Sequence, residues 1–207
     1  MEDIWLARAK RLLAISQTGL GFSQDPYDRE RYAELGQVAA DMLADLGRVP
    51  IERIFDLVPD YAASYATPSI DVRGALIEDG RILLVQEKTD QKWTLPGGFA
   101  DVGLSAAENM VKEVHEEAGI DVTVTRLFHL RHKAKHGYQQ DLRDFYKIFF
   151  LLERPEALPP RPGQETMDAG FFLPTKLPPL SKGRVIADDI HAAFAAMQAG
   201  PGPTRFD

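Results

Sequence analysis

Apolar residues recur at helical spacing along the first part of the chain, up to about residue 66. One such stripe consists of Trp5, Leu6, Ala9, Leu12 and Leu13. A second helix is predicted to start at Asp25 and Pro26 and to run towards Gly47, because Asp is a good N-cap and Pro suits the first helical position. The segment IERIFDLV after Pro50 predicts a short third helix, and residues 61–68 (YAASYATP) have the composition of a linker.

After Pro68 the pattern changes to the alternation typical of strands. The segments IDVRGALI and RILLVQE flank the turn EDG, which predicts a β-hairpin from about Ile70 to Glu87. A last helix is predicted from Val185 to Met197, followed by a disordered tail, GPGPTRFD. Further strands are expected at Lys92 to Leu95, Val122 to Leu130, Phe145 to Leu152 and Gly170 to Leu173. The chain therefore divides into an N-terminal helical domain (residues 1–66) and an α/β or α+β domain (residues 67–207).

A helix is predicted from Ser105 to Gly119. It should begin at Ser105 because Ser105 and Glu108, three residues later, form a capping-box pattern. Its apolar stripe consists of Ala107, Met110, Val111, Val114 and Ala118. Glu113, Glu116 and Glu117 are then expected on the opposite side of this helix.

Like charges at this spacing destabilise an isolated helix by roughly 0.2–0.5 kcal/mol per pair, so the three glutamates need an explanation. A solvated helix face is the common one for an isolated EVHEE segment. Here Gly97 and Gly98 precede the helix and allow the backbone to come close to a bound group. A hard cation such as Mg²⁺ prefers carboxylate and carbonyl oxygens, so the combination predicts a divalent metal site.

The stretch PGGFADVGLSAAENMVKEVHEEAGI resembles the Nudix box, G-x5-E-x7-R-E-U-x-E-E-x-G-U with U an aliphatic residue. Aligned from Gly98, the matching positions are Glu113, Val114, Glu116, Glu117, Gly119 and Ile120. Two positions depart from the pattern. Leu104 stands where the first glutamate is expected, which puts the reaction rate and the number of metal ions in doubt. Lys112 replaces the arginine and keeps a positive charge that can hold Glu113, without the planar fork of arginine.

Beyond the box, the chain resembles a Nudix subgroup that hydrolyses X-linked nucleoside diphosphates and carries an N-terminal helical domain. The resemblance rests on TPSIDVRGALI, the ADVG form of the loop, ETMDAGFF and LPPLSKGRV. Members of this subgroup often have a non-glutamate after ADVG, so Leu104 fits the subgroup. The resemblance implies an α-β-α sandwich with a mixed sheet. The helical domain is expected to form a homodimer or to cover the substrate pocket.

The resemblance also implies roles for individual residues. Glu113, Glu116 and Glu117 are expected to hold Mg²⁺, or Mn²⁺ in its place, with the carbonyl at Gly97 or Gly98 as a further ligand. Lys112 is expected to support them. The general base comes either from the box or from a later loop, where Glu165 is the candidate; a solvated loop glutamate is the alternative.

Candidate substrate-binding residues lie on both sides of the box. Arg73 could bind a phosphate with two hydrogen bonds, although an exposed strand arginine is equally consistent with the pattern. Trp93 could stack on a base, but a tryptophan before LPG more often packs in the core. The remaining candidates are Lys88, Arg131 and His132, with Lys92, Lys133, Lys147 and His136 as weaker ones, because most lysines are exposed and loop histidines need no function.

Composition narrows the classes of function. The chain has 207 residues, no cysteine and a net charge of -7, so disulfides and thiolate ligands are excluded and a basic nucleic-acid surface is not expected. No apolar run approaches the length of a membrane span, and a cytoplasmic location is the default expectation. The prediction is a metal-dependent pyrophosphatase acting on a CDP-choline or ADP-ribose type of compound. The alternatives are a housecleaning nucleoside triphosphate pyrophosphatase and a non-catalytic nucleotide-sugar-binding domain, which the intact EVHEE disfavours.

Overall fold

A computed structural model describes residues 2–52, 54 and 66–207. The chain forms two compact units. The first contains the described residues up to Ser69, together with residues 134–136 and 140–145. The second contains residues 70–133, 137–139 and 146–207. The domain boundary at residues 66 and 67 stays a prediction.

The described part of the first unit contains two long helices, α1 (Ile4–Phe22) and α2 (Pro26–Gly47). The predicted start of α2 is confirmed, because the Asp25 side chain accepts hydrogen bonds from two backbone N–H groups of its first turn. The unit has its own core, in which Leu6, Ala9 and Leu13 of α1 pack with Ala39, Ala40, Leu43 and Ile54. Ile51, Glu52 and Ile54 are helical, whereas the rest of the predicted third helix lies outside the described residues.

One member of the predicted α1 stripe was placed wrongly. Trp5 is 55% exposed, and the Arg8 guanidinium lies 4.7 Å above its ring. The narrow core between the helices is filled by Leu6, Ala9 and Leu13, which lie one turn apart, so the larger Trp5 points outwards.

The second unit is built on a mixed sheet. Its strands are β1 (Ser69–Glu78), β2 (Arg81–Glu87), β3 (Trp93–Thr94), β4 (Thr123–His132), β5 (Phe145–Glu153), β6 (Thr166–Phe172) and β7 (Arg205–Phe206). They follow the order β3-β2-β1-β5-β4-β7, with β6 also paired with β2. The β4–β5 and β2–β6 pairs are antiparallel and the β4–β7 pair is parallel. The predicted hairpin of β1 and β2 is confirmed, and Asp79 and Gly80 of its turn have positive φ angles.

A helix covers each face of this sheet. The helix α3 (Ala106–Ala118) packs Met110, Val114 and Ala118 against Val72, Leu76, Leu83 and Val85. The helix α4 (Ala187–Gln198) packs Ile190 and Ala193 against Ala75, Ile77, Leu84 and Phe149. This arrangement confirms the predicted α-β-α sandwich. No helix of the described part of the chain is long and apolar enough to cross a membrane.

The expectation of a disordered C-terminal tail was wrong. Arg205 and Phe206 pair with His129 and Leu130 of β4, and the Thr204 hydroxyl donates to the Leu127 carbonyl oxygen at 2.7 Å. Glycine and proline dominate the tail only as far as Pro203, so its last residues are free to complete a strand.

Candidate active site

The helix α3 carries the glutamates of the box and begins as predicted. The Ser105 hydroxyl accepts from the Glu108 backbone N–H, and the Glu108 carboxylate accepts from the Ser105 N–H at 2.7 Å, which completes the capping box. At the other end Gly119 adopts the left-handed conformation with a φ of 64°. Both ends of α3 are therefore fixed, and so are the directions in which its glutamates point.

The loop before α3 comes close to the first core strand at Gly97. This residue has a φ of 138°, and a Cβ added to it would lie 2.0 Å from the Val72 carbonyl oxygen, so only glycine fits. The Gly97 N–H donates to Glu117 Oε2 at 2.8 Å. A Cβ at Gly98 would lie 3.0 Å from both carboxylate oxygens of Glu113. The two glycines thus bring the loop backbone against two of the three box glutamates.

Glu117 lies in the interior, contrary to the expectation that all three glutamates share an outer helix face. Its exposed fraction is 5%. Burial, together with the negative charges of Glu113 and Glu87, raises the pKa of its carboxyl to about 8, against the opposing effects of Arg73 and the Gly97 N–H. The prediction failed for Glu117 because this position borders the apolar stripe of α3 and the glycine loop provides a hydrogen-bond donor for its buried carboxylate.

Glu113 and Glu116 have different environments. Glu113 is half-buried, and burial raises the pKa of its carboxyl. Glu116 is exposed and forms an ion pair with Lys112, whose Nζ lies 2.9 Å from its Oε2 and 3.2 Å from Asp101 Oδ2. The expectation that Lys112 holds Glu113 is therefore wrong: Lys112 binds Glu116 and Asp101, and it acts on Glu113 only through its charge. Leu104 is partly exposed in the loop.

These carboxylates suit a hard divalent cation in their chemistry. Two of them have raised pKa values because they share a partly dry site, and a cation there would relieve their repulsion. Within residues 2–52, 54 and 66–207, however, no group of three or more acidic or histidine side chains surrounds one point. Glu116 forms an ion pair with Lys112 and not a common site with Glu113 and Glu117. Glu113 and Glu117 could hold such a cation, and Glu116 would join them by exchanging Lys112 for the metal.

Arg73 is not the exposed strand residue of the sequence alternative. It is buried, and its Nε donates to Asp71 Oδ1 at 2.7 Å, while its Nη1 donates to the Leu95 carbonyl oxygen at 3.1 Å. Its charge also acts on Glu117 and Glu87. Arg73 therefore connects the first core strand to the glycine loop and lowers the electrostatic cost of the acidic site.

Lys147, a weaker candidate for substrate binding, is not exposed as most lysines are, since its exposed fraction is 0%. Its Nζ donates to Asp71 Oδ2 at 2.5 Å. Burial lowers the pKa of Lys147 to about 8, although Asp71 opposes this change. Burial alone would raise the pKa of Asp71, but the cations Arg73 and Lys147 together hold it below its usual value.

Arg131 is likewise buried. Its Nη1 lies 2.6 Å from Asp189 Oδ1 of α4, and the Tyr138 hydroxyl donates to the same oxygen at 2.6 Å. Arg131 also lies opposite Lys147 in the β4–β5 ladder. These two neighbouring cations therefore pair with different carboxylates, Arg131 with Asp189 and Lys147 with Asp71. His132 lies at the end of β4, where its ring packs edge-on against Tyr146 at 5.6 Å.

The other candidates lie around the β2–β3 end of the sheet. Trp93 is partly buried and packs against the core, with its ring centroid 4.6 Å from that of Phe172, which agrees with the packing alternative. The Lys88 ammonium donates to the Gln164 carbonyl oxygen. Glu165 is exposed, but its charge raises the pKa values of both Glu113 and Glu87, so it lies near the acidic site.

Sequence reasoning missed Glu87, Asp71 and Asp189. Leu83, Val85 and Glu87 alternate along β2 and therefore lie on the α3 side of the sheet. This alternation can be read from the sequence RILLVQE. Asp71 and Asp189 gave no such signal. Their partners lie 76 and 58 positions away in the sequence, so only the fold reveals the pairs.

The chain matches two protein-family models. Residues 3–58 match a UDP-X-like, N-terminal oligomerisation domain, and residues 68–194 match the NUDIX domain. A Bacillus subtilis (strain 168) protein provisionally named ADP-ribose pyrophosphatase YjhB is 43% identical over 207 residues, which cover 100% of this chain and 99% of the relative.

Two solved structures are also similar. A UDP-X diphosphatase is 32% identical with a TM-score of 0.63 over 98% of each chain. An ADP-ribose pyrophosphatase from Streptococcus suis 89-1591 is 39% identical with a TM-score of 0.61, over 68% of this chain and 100% of that one. Enzymes of this family use divalent metal ions. The glycine loop, the glutamates of α3 and these similarities together place the chain in the Nudix hydrolase family, as a pyrophosphatase with an N-terminal oligomerisation domain.

Proposed function

We propose that the protein hydrolyses the diphosphate bond of a nucleoside diphosphate joined to a second group X, with Mg²⁺ or Mn²⁺, to give a nucleoside monophosphate and X-phosphate. One observation carries this proposal: Glu113 and Glu117 meet the Gly97–Gly98 loop in a partly dry site where both pKa values are raised. The similar proteins named above as ADP-ribose pyrophosphatases and as a UDP-X diphosphatase support a substrate of the nucleotide-X class.

In this proposal a divalent cation, when bound, neutralises charge on the phosphoryl oxygens and acidifies the attacking water. Glu113, Glu116 and Glu117 would hold it. The Gly97 N–H keeps the Glu117 carboxylate turned towards the loop. Arg73 fixes the loop through the Leu95 carbonyl, and its charge favours the ionised form of Glu117.

Glu165 is our candidate for the general base. It lies in the loop before β6, and this loop packs on the C-terminal end of α3: the Gly163 N–H donates to the Glu117 carbonyl oxygen at 3.2 Å, and the Thr166 hydroxyl donates to the same oxygen at 2.7 Å. An exposed carboxylate held beside the acidic site can accept a proton from water and release it to solvent.

We also propose that the protein is a homodimer formed through the outer face of α1. Trp5, Ile15 and Phe22 on this helix are 55%, 39% and 67% exposed. Trp5, Leu12, Ile15 and Phe22 are separated by seven, three and seven residues, which is the spacing of a helix–helix seam. Open grooves run along the same helix beside Leu12 and beside Ile15 and Phe22. The match to an oligomerisation domain supports a second copy of this chain as the partner.

The test of the reaction is phosphate release, coupled to alkaline phosphatase, from ADP-ribose, UDP-sugars, CDP-choline and nucleoside triphosphates, with Mg²⁺ or Mn²⁺. Glu116→Gln is the inactivating variant. Glu153→Gln, an exposed glutamate at the end of β5, is the matched control for loss of one charge. We expect the wild type and Glu153→Gln to hydrolyse a nucleotide-X compound and Glu116→Gln to lose this activity. Turnover of triphosphates alone would favour the housecleaning alternative, and binding without turnover would favour the non-catalytic one.

A further inference from the structure

The segment LPPLSKGRV, residues 177–185, has no role in the reaction as described so far. It runs beside β3, because the Trp93 N–H donates to the Pro179 carbonyl oxygen at 2.9 Å and the Ser181 N–H donates to the Trp93 carbonyl oxygen at 2.8 Å. Leu180 forms a parallel bridge with Trp93. The segment is thereby held at the end of the sheet where β2 finishes.

Arg184 extends from this segment to the end of β2. Its Nε lies 3.0 Å from Glu87 Oε1 and its Nη1 lies 3.8 Å from Asp90 Oδ2. It also donates to the Ser181 and Thr89 hydroxyl oxygens, both at 3.1 Å. Arg184 therefore links residues 87–90 to residues 181–184 through several oxygen atoms at once.

Glu87 is the member of this group whose charge acts on a glutamate of α3. It is 8% exposed and lies on the α3 side of the sheet, one alternation step beyond Val85. Its charge acts on Glu117, and the charges of Arg73 and Glu165 act on it in turn. The same carboxylate therefore contacts Arg184 and lies close enough to Glu117 for the two charges to act on each other.

We propose that Glu87 is a further carboxylate of the reaction site, directed towards the divalent cation, and that Arg184 is the residue that positions it. The inference rests on the proposed function, because it assigns Glu87 to the same metal-dependent reaction. The inference also gives the segment LPPLSKGRV a role, because its Arg184 guanidinium holds the Glu87 carboxylate at the edge of the site. The charge of Arg184 offsets part of the repulsion between Glu87 and Glu117.

A purely structural ion pair is the competing explanation, and the chain offers a matched control for it. Arg154 Nε donates to Glu78 Oε1 at 2.7 Å, so Glu78 and Arg154 form a similar partly buried pair at a strand end. Glu78 is five residues along β1 from Arg73, about 16 Å at the usual rise of a strand, and thus far from the glycine loop.

The experiment compares Glu87→Gln, Arg184→Gln, Arg184→Lys and Glu78→Gln in the full chain. Mn²⁺ binding is measured by electron paramagnetic resonance, kcat and KM with a compound that the wild type hydrolyses, and Tm by calorimetry. We expect Glu87→Gln to weaken Mn²⁺ binding and to lower kcat by about 10- to 100-fold. Arg184→Gln should show the same two effects to a smaller extent, and Arg184→Lys should recover part of both. Glu78→Gln should change Tm alone.

Each outcome supports or overturns the inference. Unchanged Mn²⁺ binding in Glu87→Gln would overturn the assignment of Glu87. A lower Tm with unchanged Mn²⁺ binding and kcat in Arg184→Gln would show that Arg184 is structural only. If the wild type hydrolyses none of the compounds, Mn²⁺ binding that is weaker in Glu87→Gln and unchanged in Glu78→Gln still supports the site, and only the proposed reaction fails.

Discussion

Lys147 and Asp71 form a hydrogen-bonded ion pair of 2.5 Å in the interior of the Nudix unit, and the second oxygen of Asp71 binds Arg73 at 2.7 Å. One carboxylate thus serves two buried cations. Arg73 also donates a hydrogen bond to the Leu95 carbonyl oxygen, which connects Asp71 and its two cations to the glycine loop. The pair therefore links the sheet interior to the part of the molecule that holds Glu117.

Removal of Asp71 should cost more stability than removal of Lys147. Asp71→Asn leaves two buried cations without their carboxylate, and we expect a loss of about 3–5 kcal/mol in the free energy of unfolding. Lys147→Met leaves Asp71 paired with Arg73 and should cost less. Urea unfolding monitored by circular dichroism measures both variants. A larger loss in Lys147→Met would contradict the idea that Asp71 is the centre of the network.

Gly97→Ala should inactivate the protein, because the added Cβ would lie 2.0 Å from the Val72 carbonyl oxygen and the loop would have to move away from Glu117. We expect kcat to fall by at least about 100-fold, as for other small displacements of reacting groups. Gly137→Ala is the control, since nothing lies within 4 Å of a Cβ there. Equal activity of the two variants would show that the close approach of the loop is not required.

The raised pKa of Glu117 predicts a pH-dependent stability of the metal-free protein. Between pH 4.5 and about 8 the folded state keeps a proton that the unfolded state has lost. The free energy of unfolding therefore falls as the pH rises through this window, by at most about 1.4 kcal/mol per pH unit.

Urea unfolding at pH 5 and pH 8 in a chelator measures this dependence, and Glu117→Gln should reduce it. Mg²⁺ should stabilise the wild type more at pH 8 than at pH 5, because the cation and the proton compete for the same carboxylates. Equal pH dependence in wild type and Glu117→Gln would assign the effect to another group.

Glu165→Gln tests the proposed general base. We expect kcat to fall by about 10²- to 10⁴-fold while Mn²⁺ binding changes little, because a base acts on the water and not on the bound cation. A variant with the wild-type kcat would show that Glu165 is a solvated loop residue.

Phe22→Glu tests the proposed dimer surface. A charge on the outer face of α1 should convert the dimer to a monomer in analytical ultracentrifugation, because an unpaired carboxylate would be buried in the seam. Leu158→Glu, which changes an exposed leucine of the other unit, is the control. A dimer that persists in Phe22→Glu would place the interface elsewhere.

Local signals explain why much of this fold could be predicted from the sequence. Asp25, the Ser105–Glu108 box and Gly119 fix helix ends through contacts within a few residues, and the Asp79–Gly80 turn fixes the hairpin in the same way. The glutamates of the site came from one contiguous motif.

The remaining features depend on contacts between distant segments. An inward-facing lysine such as Lys147 looks like any other strand lysine until the fold brings Asp71 to it. Glu117 is buried because of the Gly97 loop, not because of its own helix. The ion pair between Glu87 and Arg184, almost 100 positions later, likewise exists only in the folded chain.

The short strand β7 has a consequence for the behaviour of the protein in solution. It occupies the side of β4 that would otherwise present unpaired backbone groups at the end of the sheet. Such open edges are the usual starting points for intermolecular β-pairing and aggregation. A protein clipped after Pro203 would keep its reaction site, yet it should lose solubility on storage, and light scattering of concentrated samples would reveal the difference.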